Sequence, residues 1–310
     1  MIAEKIAFVF PGQGSQVVGM GKSLAQAYPV ALEVFQKADE WLGFPLSQLA
    51  WEGPEGELNA TINTQPALLV HSIAALRVLQ ERFPTIRASY VAGHSMGELS
   101  ALVAAGALDY PNALHLVRRR GELMKRAGEV SPGGMAAILG LDIPTLDEIC
   151  KQASTPEETV QVANDNCPGQ VVISGASPAL GRALELAQAA KARRAIPLAV
   201  SIAAHSPLMT HAQDDFNQAV EAAPFQEPQI PMIGNVTAAP LTGIDRIKAD
   251  LQAQLTSRVR WTESIQTMID QGVNTFIELG SGSVLCGLIK RINREVTTLA
   301  LGTPEDFDSL

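Results

Sequence analysis

The sequence predicts an α/β fold built on a mostly parallel sheet, with a small ferredoxin-like unit inserted in the middle of the chain. Two observations carry this. Short apolar runs alternate with longer segments of helical period, the pattern of strands joined by crossover helices. Between residues 133 and 200 the order changes to β-α-β-β-α-β, the split unit of ferredoxin-like folds.

The elements follow in order. IAFVF (6–10) reads as a buried strand running into the loop PGQGSQ (11–16). QPALLVHSIAALRVLQERF (65–83) reads as a long helix. ASYVAG (88–93) is a strand, followed at once by the helix MGELSALVAAGAL, and a further helix covers about 112–127. Within the insertion, GGMAAILGLD is a strand and PTLDEICKQA a helix. TVQVAND and QVVISG are strands joined by NCPG, and SPALGRALELAQAA is a helix with Ser177 placed to cap it. AIPLAVS (195–201) closes the unit. The α/β rhythm then resumes with a helix (206–223), the strand IPMIGNV, a helix from Trp261, the strand and glycine turn TFIELGSG, and the helix SVLCGLIKRI. The polar tail TPEDFDSL reads as frayed. Residues 1–132 and 201–310 are thus expected to form one larger unit around the insertion at 133–200.

The chain has 310 residues, 46% of them hydrophobic and 18% charged, enough apolar material for a sizeable core. A formal net charge of −9 argues against a nucleic-acid surface, which needs a positive field. No run approaches the roughly 20 apolar residues of a membrane span. MIAEKIAFVFPGQG lacks a basic stretch followed by a long apolar one, so it does not read as a signal peptide, and a cytoplasmic enzyme is expected. Cys150, Cys167 and Cys286 form no C-x-x-C pair and read as buried reduced thiols. The five histidines show no H-E-x-x-H spacing, and no metal is expected.

The chemistry is expected at Gly93-His94-Ser95-Met96-Gly97. It fits G-x-S-x-G with a strand before it and a helix after it, the context in which a tight turn exposes a nucleophilic serine. The N–H groups at that helix start, Met96 first, would face a tetrahedral oxyanion. PGQGSQ lacks the lysine of a phosphate loop, and Gln13 is expected instead to bring a second backbone N–H near Ser95. A serine needs a base. His94 should point away on such a turn, and His71 and His115 lie in helical segments. His211 sits on a helix, whereas His205 follows an apolar strand and precedes a helix, where catalytic groups collect. Of the adjacent Arg118, Arg119 and Arg120, any one could turn inward and offer a fork to a carboxylate.

FVFPGQGSQ, TQPALL, GHSMGELSALVAAGAL, RGELM, NDNCPGQVVISG, HSPLM and IELGSGSVLCGLIKRI together resemble the malonyl-CoA:acyl carrier protein transacylases and the related acyltransferase domains of polyketide synthases. The resemblance spans nearly the whole chain and implies a hydrolase-like α/β core with a ferredoxin-like subdomain. It implies Ser95 as the acyl-carrying nucleophile and His205 as its base, in a dyad whose imidazole is held by a backbone carbonyl near Arg260. It further implies Arg120 as the partner of a malonyl carboxylate, Gln13 and Met96 as oxyanion donors, and Asn166 near the site. Malonyl-CoA and acyl carrier protein are then the partners, no cofactor is required, and a monomer is expected. The alternative is an acyl hydrolase, or an acyltransferase of a polyketide pathway, acting in trans on another acyl group.

Overall fold

In chain order the strands are β1 (Ile6–Phe10), β2 (Tyr90–Gly93), β3 (Gly133–Leu139), β4 (Val160–Cys167), β5 (Gln170–Ala176), β6 (Arg194–Pro197), β7 (Met232–Ile233), β8 (Pro240–Leu241), β9 (Thr275–Leu279) and β10 (Thr297–Leu301). They come from a computed structural model that describes residues 5–200 and 202–310. Residues 1–4 of the expected larger unit, and Ser201 at the end of the last strand expected in the insertion, lie outside the described residues.

β1 is apolar at every position because it is covered on both sides. Phe8 and Phe10 enter one core and Ala7 and Val9 the other. It is central to a sheet of order β10-β9-β1-β2-β7-β8, in which every pair is parallel except β7 with β8. Crossover helices therefore lie on both faces. The helix Thr61–Arg82 is buried nearly all round, so it shows little amphipathic stripe, and it packs against the helix Tyr110–Val130. These two helices later carry Gln65 and Arg120.

The second sheet has the order β4-β5-β3-β6 with every pair antiparallel, the ferredoxin-like arrangement that the sequence order predicts. The helices Ile143–Ala153 and Ser177–Ala189 cover one face through Leu146, Ile149, Leu180 and Ala183. The opposite face, with Met135, Ala137 and Val172, walls a cleft against the larger sheet.

The elements differ from expectation at their ends. Ser177 is the first residue of its helix and not its cap: Ala176 holds that position and no side chain caps the turn. The expected strand 195–201 stops at Pro197, and only the Leu198 N–H beyond it still reaches β3, donating to the Met135 carbonyl at 2.9 Å among the described residues. IPMIGNV shortens to Met232–Ile233 because Gly234 and Asn235 leave the sheet and turn toward Ser95. The helices Pro29–Leu42 and Ile244–Gln254, and β10, went unread in the sequence.

The tail is also ordered. Thr303 and Asp306 form a capping box that starts the helix Pro304–Asp308, and Phe307 is 1% exposed with its ring 6.1 Å from that of Tyr28. Phe307→Ala is therefore expected to lower the unfolding free energy by about 3–5 kcal/mol in a urea titration, where a frayed tail would change it by less than about 0.5 kcal/mol.

Candidate active site

β2 ends at Gly93 and the next helix begins at Gly97, leaving His94, Ser95 and Met96 to make the turn. So tight a turn requires small residues on either side. A Cβ on Gly93 would lie 2.0 Å from the Gly97 carbonyl oxygen, and one on Gly97 would lie 2.2 Å from that of Phe10. Ser95 itself adopts φ +53°, a left-handed conformation that costs a non-glycine residue about 1–3 kcal/mol. Asn235 holds it there: its Oδ1 accepts from the Ser95 N–H at 2.8 Å and its Nδ2 donates to the Gly93 carbonyl at 2.8 Å.

His205 stands at φ +58° and meets Ser95 across the cleft. Its Nδ1–H donates to the Gln254 carbonyl at 2.8 Å. That bond leaves Nε2 as the acceptor, and the Ser95 hydroxyl lies 2.7 Å from it. Gln161 reaches from β4 and donates to the His205 carbonyl at 2.7 Å. Burial first, and then the neighbouring Arg120 guanidinium, push the imidazole down to about 3.

Of the three adjacent arginines, Arg120 is the one that turns inward, 1% exposed. Arg118 bonds Glu122 and the Ile62 carbonyl, and Arg119 pairs with Glu122 and Asp215. Arg120 Nη1 donates to Gln65 at 2.8 Å, while Nη2 donates to Gln254 Oε1 at 2.7 Å and to the Ser95 hydroxyl at 3.1 Å. Its Nε has no acceptor among the described residues. Burial lowers the guanidinium to about 10.

The other expected residues gather around this centre. Gln13, Met96 and Asn166 line the same cleft of about 460 Å³ as Ser95, His205 and Arg120. Among the described residues the backbone N–H groups of Gln13 and Met96 donate to nothing in the protein. Asn166 accepts from His94 Nε2 at 2.8 Å, which together with the Trp261 ring holds His94 away from the serine. His71 is buried and donates to the Gly302 carbonyl at 2.9 Å, while His115 and His211 are exposed.

One expectation is corrected. The carbonyl that holds His205 belongs to Gln254 and not to the neighbourhood of Arg260. Arg260 instead reaches the carbonyls of Val236 and Thr237 and pairs with Glu263, on the far side of the Asn235 loop. Gln254, Asn235, Gln65 and Gln161 were all missed in the sequence. Gln65 sits inside the TQPALL motif, which gave a signal, whereas the other three are isolated amides with no pattern around them.

A serine at a strand-to-helix turn, hydrogen-bonded to a tautomer-fixed histidine and flanked by free N–H groups, defines the acyl-transferring α/β enzymes as a class. The chain belongs to the acyl transferase domain family, whose model matches residues 7–301. It is 47% identical over 98% of its length, and 95% of the relative's, to the malonyl CoA-acyl carrier protein transacylase of Bacillus subtilis. Among solved structures, an acyl carrier protein S-malonyltransferase from Vibrio cholerae is 43% identical with a TM-score of 0.94 over 99% of both chains. A malonyl-transacylase solved in complex with a type II polyketide synthase acyl carrier protein is 42% identical with a TM-score of 0.95, over 99% of this chain and 98% of that one. Among the described residues no helix is long and apolar enough to cross a membrane, and no group of three or more His, Cys, Asp or Glu side chains is placed to hold a metal.

The lowered imidazole sets the acid side of the reaction. The neutral ring is the base, so a value of about 3 keeps it competent far below pH 6.5. Pre-steady-state acylation by an acyl-CoA is expected to stay level from pH 7.5 to pH 5.5, read by coenzyme A release, whereas a histidine at its ordinary 6.5 would lose about tenfold.

Proposed function

We propose that the chain carries a malonyl group from malonyl-CoA to the phosphopantetheine thiol of acyl carrier protein, through an ester on Ser95. The observation that carries this reading is the buried Arg120 fork beside the Ser95–His205 pair. An interior cation with an unspent N–H suits a substrate that brings its own carboxylate to the reacting centre.

In the first half-reaction, His205 Nε2 takes the Ser95 proton as Oγ attacks the thioester carbonyl. The Gln13 and Met96 N–H groups receive the oxyanion. The intermediate collapses, the C–S bond breaks, and the imidazolium returns its proton to the coenzyme A thiolate. The malonyl carboxylate stays on Arg120. In the second half-reaction the carrier's thiol gives its proton to His205 and attacks the ester, and Ser95 recovers the proton as it leaves. Every proton has a named acceptor, so no metal or redox group is asked for. Coenzyme A and a carrier protein as substrates fit a cytoplasmic enzyme.

The reading draws support from the relatives, which are named as malonyl transacylases, and from the structure of one of them with an acyl carrier protein. Intact-mass measurement after incubation with a panel of acyl-CoAs is expected to show a malonyl adduct that is absent in Ser95→Ala. Added carrier protein should then remove it as malonyl-carrier. Release of free malonate instead would reassign the chain as an acyl hydrolase. Arg120→Ala is expected to reduce malonyl transfer by about 100-fold, the loss of charge-assisted bonds to one carboxylate, while acetyl transfer changes by less than about tenfold. Equal losses on the two substrates would remove the clamp from the mechanism.

A further inference from the structure

Beneath the Ser95 turn lie two carboxyl groups that the mechanism above does not use. Glu98, in the first turn of the helix Gly97–Ala104, is fully buried, and Asp250, on the helix Ile244–Gln254, is 2% exposed. The N–H groups of two consecutive residues, Asn235 and Val236, donate to Glu98 and to Asp250, which sets the two carboxyls side by side. Gly234 makes room for the pair, since a Cβ there would lie 2.5 Å from Asp250 Oδ1. Two carboxylates in contact inside a protein cannot both be ionised, so one proton is shared between them.

The donors around them decide where it rests. Asp250 accepts from the Val236 N–H at 3.1 Å, from the Thr237 N–H at 3.0 Å and from the Thr237 hydroxyl at 2.9 Å, three donors to one carboxyl. Among the described residues Glu98 accepts from Gln254 Nε2 and, at 3.4 Å, from the Asn235 N–H. The proton therefore sits on Glu98, which donates it to Asp250.

Both residues that donate to Glu98 also grip the nucleophile. Asn235 accepts from the Ser95 N–H, and Gln254 Nε2 donates to the Ser95 carbonyl at 3.1 Å. Gln254 has no freedom in this. A guanidinium can only donate, so the amide oxygen must face Arg120, and its NH2 must then face Ser95 and Glu98. We infer that Glu98, kept as a neutral acid by its shared proton with Asp250, is a positioning residue that orients Gln254 and Asn235 and leaves the Arg120 charge free for the substrate's carboxylate.

An ionised Glu98 would do the opposite. It would stand as a resident counter-ion one amide away from Arg120 and compete with the incoming carboxylate. The charged groups near the pair are Arg120 on Glu98's side and Arg260 on Asp250's side. Burial, followed by the charge of Asp250, drives the Glu98 carboxyl well above its usual range, in the direction the donor count requires.

The inference rests on the proposed roles of Ser95 and Arg120, and the test separates the two. Malonyl loading of wild-type Ser95 at pH 7, read by intact mass, tests those roles alone. Infrared difference spectra of the whole protein at pH 7, wild type minus Glu98→Gln, then test the proton: a protonated-acid carbonyl band in the wild type supports the inference, and its absence overturns it. Kinetics test the function. Glu98→Ala is expected to lose at least about tenfold in kcat/KM for malonyl-CoA, because it strands the buried amide of Gln254. Glu98→Gln, which can donate to Asp250 and accept from Gln254 as the neutral acid does, is expected to recover that loss to within about threefold, with KM for malonyl-CoA near that of wild type. If Glu98→Gln is as impaired as Glu98→Ala while its melting temperature matches wild type, or if its KM for malonyl-CoA rises tenfold, Glu98 acts as a charge and the inference fails.

Discussion

The hydrogen bond of 2.7 Å between the Ser95 hydroxyl and His205 Nε2 is the constraint on which the rest of the site depends. It joins two residues 110 positions apart, and both hold left-handed backbone that neither would choose in isolation. Such strain persists only where surrounding structure overdetermines it. At Ser95 the determinants are the glycines on either side, which let the turn press against β1, and the two amides that take its N–H and C=O. At His205 they are the Gln254 carbonyl on the ring and Gln161 on the backbone. Gln161 belongs to the small sheet, so a strand of that sheet and the end of the helix Ile244–Gln254 both hold the same residue.

Electrostatics then explains why the site is built from amides and not from further charges. Arg120 is an interior cation, and a full counter-ion beside it would already satisfy it. Gln65 and Gln254 satisfy two of its donors with neutral oxygens, which hold the guanidinium plane without cancelling its charge. The same cation makes protonation of His205 harder, which keeps the base neutral until a negative centre arrives next to it. A carboxylate on Arg120 and an oxyanion at the Gln13 and Met96 N–H groups are two such centres.

Much of this was legible in the sequence. Strand β1, strand β2, most of the helix Thr61–Arg82 and the helices after β2 follow from apolar period and glycine placement. Ser95, Met96 and Gln13 follow from the tendency of reactive groups to sit where strands of a parallel sheet end, whereas His205 was picked from a strand expected just before it, and that strand ends at Pro197 in the antiparallel sheet. Arg120 could not be separated from Arg118 and Arg119 by pattern, because helical position says which way each points only once the packing partner, Thr61–Arg82, is known. The carbonyl that holds His205 was misplaced to Arg260 for a deeper reason. Every residue has a carbonyl, so a main-chain acceptor leaves no trace in residue type. Asn235 and Gln254 are invisible for a related reason, as single amides whose meaning lies only in what they touch. The C-terminal helix was missed because TPEDFDSL has Phe307 as its one buried apolar side chain, Leu310 being exposed, and one buried ring makes no periodicity.

The position of Gln254 at the end of its helix gives that carbonyl more than a hydrogen-bonding role. The last carbonyls of a helix have no partner within it and carry the negative end of the macrodipole. Gln254 closes the helix Ile244–Gln254, and its free carbonyl meets His205 Nδ1. On the other side of the reacting atoms, Met96 caps the start of the helix Gly97–Ala104, whose positive end faces the cleft. Proton transfer from Ser95 to His205 creates an imidazolium beside the first helix and an oxyanion beside the second. The two helix ends thus have the polarity of the ion pair that forms between them, and neither must reorient as the charges develop. Stabilisation of that kind acts on the transition state more than on the resting enzyme, in which both reacting groups are neutral. A histidine lowered to about 3 at rest can therefore still accept a proton when the thioester is attacked.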